Sequence, residues 1–339
     1  MANILLTERC VRACPYCFAK KQMDESEAGY LSWENLIYLL DFLENSNHMR
    51  VSLLGGEPTL HPQFTDFTVY ALERGFQVNV FTSGVMSEKK MEEAHRFLWH
   101  IPPEKFSFTC NLNHPSISSE SEQKQIDNFL GKFSPLVTLG YNIYQVDFDL
   151  EFLFRKILEF NLNKHVRIGL SHPIPNERNS HVAVSDMKKM GKRFMEYYEH
   201  FERLNITPSF DCGMPLCIFE EGDLGRLYKI TRNRLGFGCG PAIDIGLDMT
   251  VWACFPLSSL NRKPIFDFNS VQEINDYYRS LQDKIRAETG GIFDECDECV
   301  HRANQLCMGG CLAHFVTPYI SGSKSRAPVI LFPENAENE

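Results

Sequence analysis

The sequence predicts an α/β fold, a partial (β/α)6 barrel followed by a small cysteine-rich domain. Three observations carry that reading. Six short apolar runs alternate with amphipathic segments in the first half. The later runs have one apolar and one polar face. Eight cysteines then crowd between positions 212 and 311, where the alternation fades.

The strand candidates are Ile4-Leu5-Leu6, Val51 to Leu54, Val78 to Phe81, Phe106 to Leu112, Val137 to Tyr144 and Val166 to Leu170. Helical periodicity separates them. After Ser32, a good N-cap, Leu36, Leu39, Leu40 and Leu43 share a stripe. From Gln63 to Arg74, Phe64, Phe67 and Ala71 share another, with Gly75 placed to end the helix. Ser87 and Asp149 are caps for later helices. Strands regularly alternating with helices form a parallel sheet or partial barrel.

In the fourth run Phe106, Phe108, Cys110 and Leu112 oppose Ser107, Thr109, Asn111 and Asn113. The fifth run sets Val137, Leu139, Tyr141 and Ile143 against Thr138, Gly140, Asn142 and Tyr144. In the sixth, Arg167, Gly169 and Ser171 lie opposite Val166, Ile168 and Leu170. The outer face of an α/β barrel packs on helices, so the polar face is the lumen. Closed eight-stranded barrels fill that lumen with branched aliphatics. A lumen of small polar groups and an Arg predicts an open barrel around a polar ligand. The plainer alternative is a solvated face, as on an antiparallel sheet. Cys110, on the apolar face, reads as a core thiol. Ser185 to Leu204 reads as one helix, with Met187, Met190, Phe194, Tyr197 and Phe201 as its core stripe.

The chain has 339 residues, 43% hydrophobic and 12% aromatic, with net charge −10 and a pI near 5.6. A sizeable core can form, and the acidic balance predicts no nucleic-acid or anionic-membrane partner. No apolar run is long enough to span a bilayer and no signal peptide is visible, which predicts a cytoplasmic protein. Disulfides are disfavoured there. Twelve cysteines, most at short spacings, therefore point to metal or iron–sulfur ligation.

The first run leads into Thr7-Glu-Arg-Cys10-Val-Arg-Ala-Cys14-Pro-Tyr16-Cys17. Three thiolates at Cys-x3-Cys-x2-Cys on one loop can hold three irons of a cubane, whereas ordinary [4Fe-4S] sites use four cysteines. The fourth iron is left open for a substrate group. A zinc site awaiting a distant ligand is the alternative. Leu54-Gly55-Gly56-Glu57-Pro58 follows the second run: paired glycines allow close backbone approach, and Glu57 can accept from an ammonium. Thr82-Ser83-Gly84 ends the third.

These motifs resemble the radical S-adenosylmethionine (SAM) superfamily over about residues 1 to 175. The resemblance implies a TIM-like partial barrel in which Cys10, Cys14 and Cys17 bind a [4Fe-4S] cluster. The open iron chelates SAM, and one electron releases a 5′-deoxyadenosyl radical that abstracts hydrogen from a substrate. It places Gly55, Gly56, Glu57, Thr82 and Ser83 against SAM. By analogy Asn111, Asn142 and Arg167 hold its ribose or carboxylate.

The later cysteines are Cys212, Cys217, Cys239, Cys254, the pair Cys296-x2-Cys299 and the pair Cys307-x3-Cys311. They resemble a SPASM or twitch domain bearing one or two auxiliary [4Fe-4S] clusters. Met249 stands where the family's hairpin usually has Gly, seven residues separate Cys299 from Cys307, and no Cys follows Cys311. One partition is Cys212, Cys217, Cys239 and Cys254 against Cys296, Cys299, Cys307 and Cys311. A family-like one moves Cys311 to the first group. Structural zinc is a third possibility. The expected organisation is a barrel over 1–182, a linking helix over 183–208, the cluster domain over 209–330 and a disordered tail over 331–339.

The resemblance implies a peptide- or protein-modifying enzyme supplied with electrons by a flavodoxin or ferredoxin. A small-molecule substrate, or an electron-transfer protein that never cleaves SAM, are the alternatives. Nine residues precede Cys10, so no N-terminal leader-binding domain is expected. His61, His114 and His172 each precede Pro and read as turn residues.

Overall fold

Apolar residues at alternate positions pair strand to strand. In register, Ile4 lies beside Leu53, Leu53 beside Val80, Val80 beside Phe108 and Phe108 beside Val137. These partners share one face of a parallel sheet, and all are fully buried under helices. The six strands are β1 (Ala2–Thr7), β2 (Arg50–Gly55), β3 (Gln77–Thr82), β4 (Phe106–Asn111), β5 (Val137–Ile143) and β6 (His165–Leu170). Each coincides with one of the six apolar runs. The structure is a computed structural model that describes residues 2–20, 29–175, 178–211 and 213–320. Cys212 and the tail expected over 331–339 lie outside the described residues.

The crossover helices are α1 (Trp33–Asn45), α2 (Phe64–Glu73), α3 (Glu88–Leu98), α4 (Glu120–Phe133) and α5 (Glu151–Glu159). Ser32 Oγ accepts from Asn35 N at 3.1 Å, and Ser87 Oγ accepts from Lys90 N at 3.4 Å. Gly75 ends α2 with φ +89°. Asp149 Oδ1 accepts from Glu151 N at 2.8 Å, although Leu150 holds the cap position itself.

Residues 183–208 depart from the single linking helix. Two helices, α6 (Met187–Met195) and α7 (Tyr198–Leu204), carry the chain to a seventh parallel strand, β7 (Thr207–Phe210), beside β6. At the break, Tyr197 donates its hydroxyl to Phe148 O at 3.2 Å, and Arg193 donates to the same carbonyl at 3.1 Å. Asn205, at φ +55°, closes α7. The expected stripe survives the break, since Met187, Met190, Phe194 and Phe201 are all buried. β7 hides from periodicity because it has four residues and contains Pro208, which an edge strand tolerates.

The cysteine-rich part adds α8 (Glu221–Ile230), β8 (Asp244–Ile245), β9 (Thr250–Trp252), β10 (Lys263–Pro264), α9 (Val271–Thr289), α10 (Val300–Ala303) and α11 (Ala313–Ile320). β8 pairs parallel with β1, and β9 and β10 follow antiparallel. One sheet thus runs β10-β9-β8-β1-β2-β3-β4-β5-β6-β7, with two open edges. At the β8–β9 turn Met249 adopts φ +62°, the left-handed conformation for which a glycine is suited.

Candidate active site

The cysteine loop leaves β1 and crosses the end of β2. Gly56 N donates to Thr7 O at 2.9 Å and Glu57 N donates to Arg9 O at 2.7 Å. A Cβ on Gly55 would stand 2.2 Å from Thr7 O, and one on Gly56 would stand 2.2 Å from Arg9 O. Both positions therefore exclude any side chain, and the paired glycines serve the loop that bears Cys10.

Glu57 is fully buried. Its Oε1 accepts from Thr59 N at 3.3 Å, Thr59 Oγ1 at 2.8 Å and Thr82 Oγ1 at 2.7 Å. Its Oε2 accepts from Ser83 N at 2.7 Å and Ser83 Oγ at 2.5 Å. These five donors saturate a carboxylate. In this structure the carboxylate is engaged by the protein's own groups. It ties the turn after β2 to the turn after β3 from behind the cavity wall.

In front of that wall lies a cavity of about 320 Å³. Cys10, Cys14, Cys17, Gly55, Gly56, Thr82, Ser83, Asn111, Asn142 and Arg167 all line it, together with Asn3, Asp211, Asp244 and Cys254. Residues from β1 to β6 and from β8 touch one space, so the sheet curves around it. Lumen room comes from two glycines. A Cβ on Gly140 would stand 2.2 Å from Asn111 Oδ1, and one on Gly169 would stand 2.2 Å from Asn142 Oδ1. Arg167 donates to Asn111 Oδ1 at 3.3 Å, pairs with Asp211 and lies 5.0 Å over the Phe81 ring. Burial raises the Asp211 carboxyl, and the Arg167 guanidinium opposes that shift.

The cysteine loop is held from several sides. Cys10 Sγ accepts from Arg12 N at 3.4 Å, and Cys14 Sγ accepts from Asn113 Nδ2 at 3.4 Å. Tyr16 donates to Asn113 Oδ1 at 2.6 Å and stacks on Tyr144 with ring centroids 5.1 Å apart. Ser180 N donates to Pro15 O at 2.8 Å. Burial pushes the Cys10 thiol up to about 11. Arg12 pairs with Glu122 and donates to Asn111 O at 2.9 Å, while its Nη2 is buried without a partner among the described residues.

Several lining residues escape sequence reasoning. Arg12 sits inside the cysteine motif but bears no motif identity. Asp211 follows the unanticipated β7. Asp244 lies on a two-residue strand, accepts from Asn3 Nδ2 at 2.6 Å, and is pushed by burial up to about 7. His172 is more than a turn residue: it is buried, lines the cavity and approaches His314 Nε2 at 3.3 Å. His61 and His114 do serve turns. His61 Nδ1 accepts from Gln63 N at 3.1 Å, and His114 Nδ1 accepts from Ser116 N at 3.2 Å. Cys110 is a buried core thiol beside Gly84, pushed up to about 12.

The later cysteines fall into two groups. Burial raises the Cys254 thiol well above its ordinary value, and Cys311 and Cys239 add to the shift. Burial and then Cys239 push Cys311 up to about 12. Gly213 backs onto the same place, since a Cβ there would stand 3.0 Å from Cys311 Cβ. The second group joins Cys296, Cys299 and Cys307 to Cys217, whose thiol burial, then Cys296 and Cys307, push up to about 11. Leu216 N and Gly309 N both donate to Cys307 Sγ at 3.4 Å. This proximity differs from the partition that joins Cys217 to Cys239 and Cys254, and Cys311 to Cys307. Cys311 lies nearest Cys239 and Cys254, as in the family-like partition, and Cys217 lies nearest Cys296 and Cys307. Both are looser than a single-ion site, since among the described residues no three His, Cys, Asp or Glu side chains converge on one metal position.

Residues 4–113 match the family model described as the Radical SAM superfamily. Over 88 residues, 25% of this chain and 24% of the relative, the chain is 33% identical to the tungsten-containing aldehyde ferredoxin oxidoreductase cofactor-modifying protein of Pyrococcus furiosus. Over 80 residues, 24% of this chain and 21% of the relative, it is 35% identical to the PqqA peptide cyclase of Methylorubrum extorquens. The matched stretch spans about a quarter or less of these relatives. The solved SuiB of Streptococcus suis bound to S-adenosylmethionine covers the fold more widely, with a TM-score of 0.64 over 98% of this chain and 76% of that one at 12% identity. Residues 4–113 thus match a radical SAM domain, and the chain shares the fold of SuiB.

Proposed function

We propose that the protein is a radical SAM enzyme that abstracts hydrogen from a peptide or protein side chain. The observation that carries this reading is the meeting, in one cavity, of three cysteines on one loop with polar groups from the lumen strands. Cys10, Cys14 and Cys17 would hold a [4Fe-4S] cluster, and the donor set fits, being three thiols with no fourth on the loop. The unpartnered Nη2 of Arg12 suits an anionic or carbonyl group placed beside the loop. When bound, the cluster and SAM supply reductive cleavage of SAM and hydrogen abstraction.

The chain's own residues position and enclose. Gly55 and Gly56 admit the backbone of the loop, and Glu57 fixes Thr82 and Ser83 at the wall. Asn111, Asn142 and the Arg167–Asp211 pair supply donors and acceptors for a ribose or carboxylate. Asp244, Cys254 and Phe255 close the side toward β8. The later cysteines would hold auxiliary clusters, with a flavodoxin or ferredoxin as electron source.

The peptide class is supported by two relatives. One is named a peptide cyclase, and SuiB has been solved with its precursor peptide SuiA. Two measurements test the reading. Adding SAM to the dithionite-reduced, reconstituted protein is expected to change the EPR signal of the Cys10/Cys14/Cys17 cluster. Incubation with short peptides encoded beside its gene is expected to give a mass change in one of them. An unaltered EPR signal overturns the enzyme reading. Turnover of a small molecule with no peptide altered overturns the peptide class alone.

A further inference from the structure

Three cysteines, Cys296, Cys299 and Cys307, leave a cubane one protein ligand short, and Cys311 faces the other group. We propose that Cys217 is the missing ligand, closing a four-thiolate [4Fe-4S] site with Cys296, Cys299 and Cys307. The proposal rests on the auxiliary-cluster reading above and assigns the ligands within it.

The geometry is local and rigid. Leu216, the neighbour of Cys217, donates its amide to Cys307 Sγ at 3.4 Å, so the two cysteines are held side by side. Gly309 donates to the same sulfur at 3.4 Å, and two backbone donors on one sulfur suit a thiolate. The turn Leu216–Ile218 cannot drift. Ile218 is buried, and its carbonyl lies so close to α6 that a Cβ on Gly191 would stand 2.2 Å from the oxygen. Cys217 is the exposed thiol of this fixed turn, whereas Cys296 and Cys307 are buried. On the opposite side Cys299 N donates to Cys296 O at 3.4 Å, which places that pair on one turn. Arg302 donates to Cys296 O at 3.3 Å, and Lys188 lies 5.4 Å over the Phe293 ring, so cations flank a site that becomes anionic. Each cysteine ligates as thiolate and releases its proton to water. Iron and sulfide come from solution.

The test starts from the Cys10→Ala/Cys14→Ala/Cys17→Ala chain, reconstituted with iron and sulfide, which retains only the later sites. Adding Cys217→Ala and, separately, Cys307→Ala is expected to change the same EPR signal, since either leaves three thiolates and an open iron. Cys217→Ala with Cys307→Ala together should cost about four iron atoms per chain, the content of one cubane. Cys254→Ala is expected to change the other signal. Both signals unchanged in Cys217→Ala overturn the assignment. A second measurement needs no variant. In the loaded wild-type protein Cys217 is expected to alkylate at least tenfold more slowly than after iron chelation. Equal rates overturn the assignment even if the variants fail to fold. If the starting chain binds no iron, the auxiliary-cluster reading itself fails, which separates the two failures.

Discussion

The loop bearing Cys10, Cys14 and Cys17 and the turns bearing Cys217, Cys296, Cys299 and Cys307 present the same kind of side chain on unlike supports. Behind the first stand the parallel strands β1 to β7 of the sheet, and Glu57 alone joins three neighbouring side chains and two backbone amides. Beyond the barrel the strands are two or three residues long; Cys307 and Ile218 pack at the margin of the main core, while a separate small core of Leu257, Ile285, Leu312, Ala313 and Val316 surrounds Cys311. Among the described residues, buried polar atoms without partners occur in both regions: Nη2 of Arg12 beside the first loop, and Gln282 Nε2 with Nε and Nη2 of Arg286 in the later part. Such atoms cost stability until something satisfies them. Both regions leave buried polar groups that a bound group could satisfy, so the difference lies in the support: a continuous sheet and a five-bond carboxylate behind the first loop, short strands and turns around the later cysteines.

Removing the clusters should split the two regions most sharply. After anaerobic iron chelation, amide exchange over 239–320 is expected to accelerate at least tenfold while β2 to β5 keep their protection. Equal acceleration in both regions would break the comparison.

Asp244 stands at the seam between them, on β8 beside β1. Its ordinary value is 3.8, and burial lifts it to about 7. The neutral form is favoured on folding, so the stability it contributes is fully present below about pH 3.8 and is lost as pH rises through about 7. The loss is at most a few kcal/mol, at about 1.4 kcal/mol per unit. Asp244→Asn is expected to flatten the decline of the apo protein's urea midpoint between pH 4 and pH 7. Parallel profiles would contradict this.

Within the barrel, Glu57→Ala strands five donors and is expected to cost about 1–3 kcal/mol of stability, read from the urea midpoint. The amide exchange of Thr59 and Ser83 should rise with it. A midpoint unchanged would show that these turns hold without the carboxylate. Smallest of all, Met249→Gly relieves a left-handed residue but removes a buried side chain. The midpoint is expected to move by less than about 1 kcal/mol, and a larger drop would mean that Met249 packing matters more than its backbone.

The same contrast explains what the sequence reveals. The six strands are legible because each buries a period-2 apolar face, and the cysteine loop because three ligands must come from one short segment. Asn111, Asn142 and Arg167 are legible as polar residues facing away from that apolar side. Other features depend on long-range placement, which no local pattern encodes. β7 needs only four residues because β6 templates it, and β8 needs only two because β1 does. Asp211 and Asp244 enter the cavity with those strands. The five hydrogen bonds on Glu57 are not legible in periodicity, because Thr59, Thr82 and Ser83 reach it from separate turns. Cys217 joins Cys296, Cys299 and Cys307 through a turn fixed by α6, which sequence spacing alone does not show.

The most direct test of the account is the quantity of 5′-deoxyadenosine formed when the reconstituted protein meets SAM, dithionite and its peptide. The wild type is expected to form it, and the Cys10→Ala/Cys14→Ala/Cys17→Ala variant is expected to form none above background. Equal product from both, or none from the wild type with SAM and peptide demonstrably bound, would contradict the account.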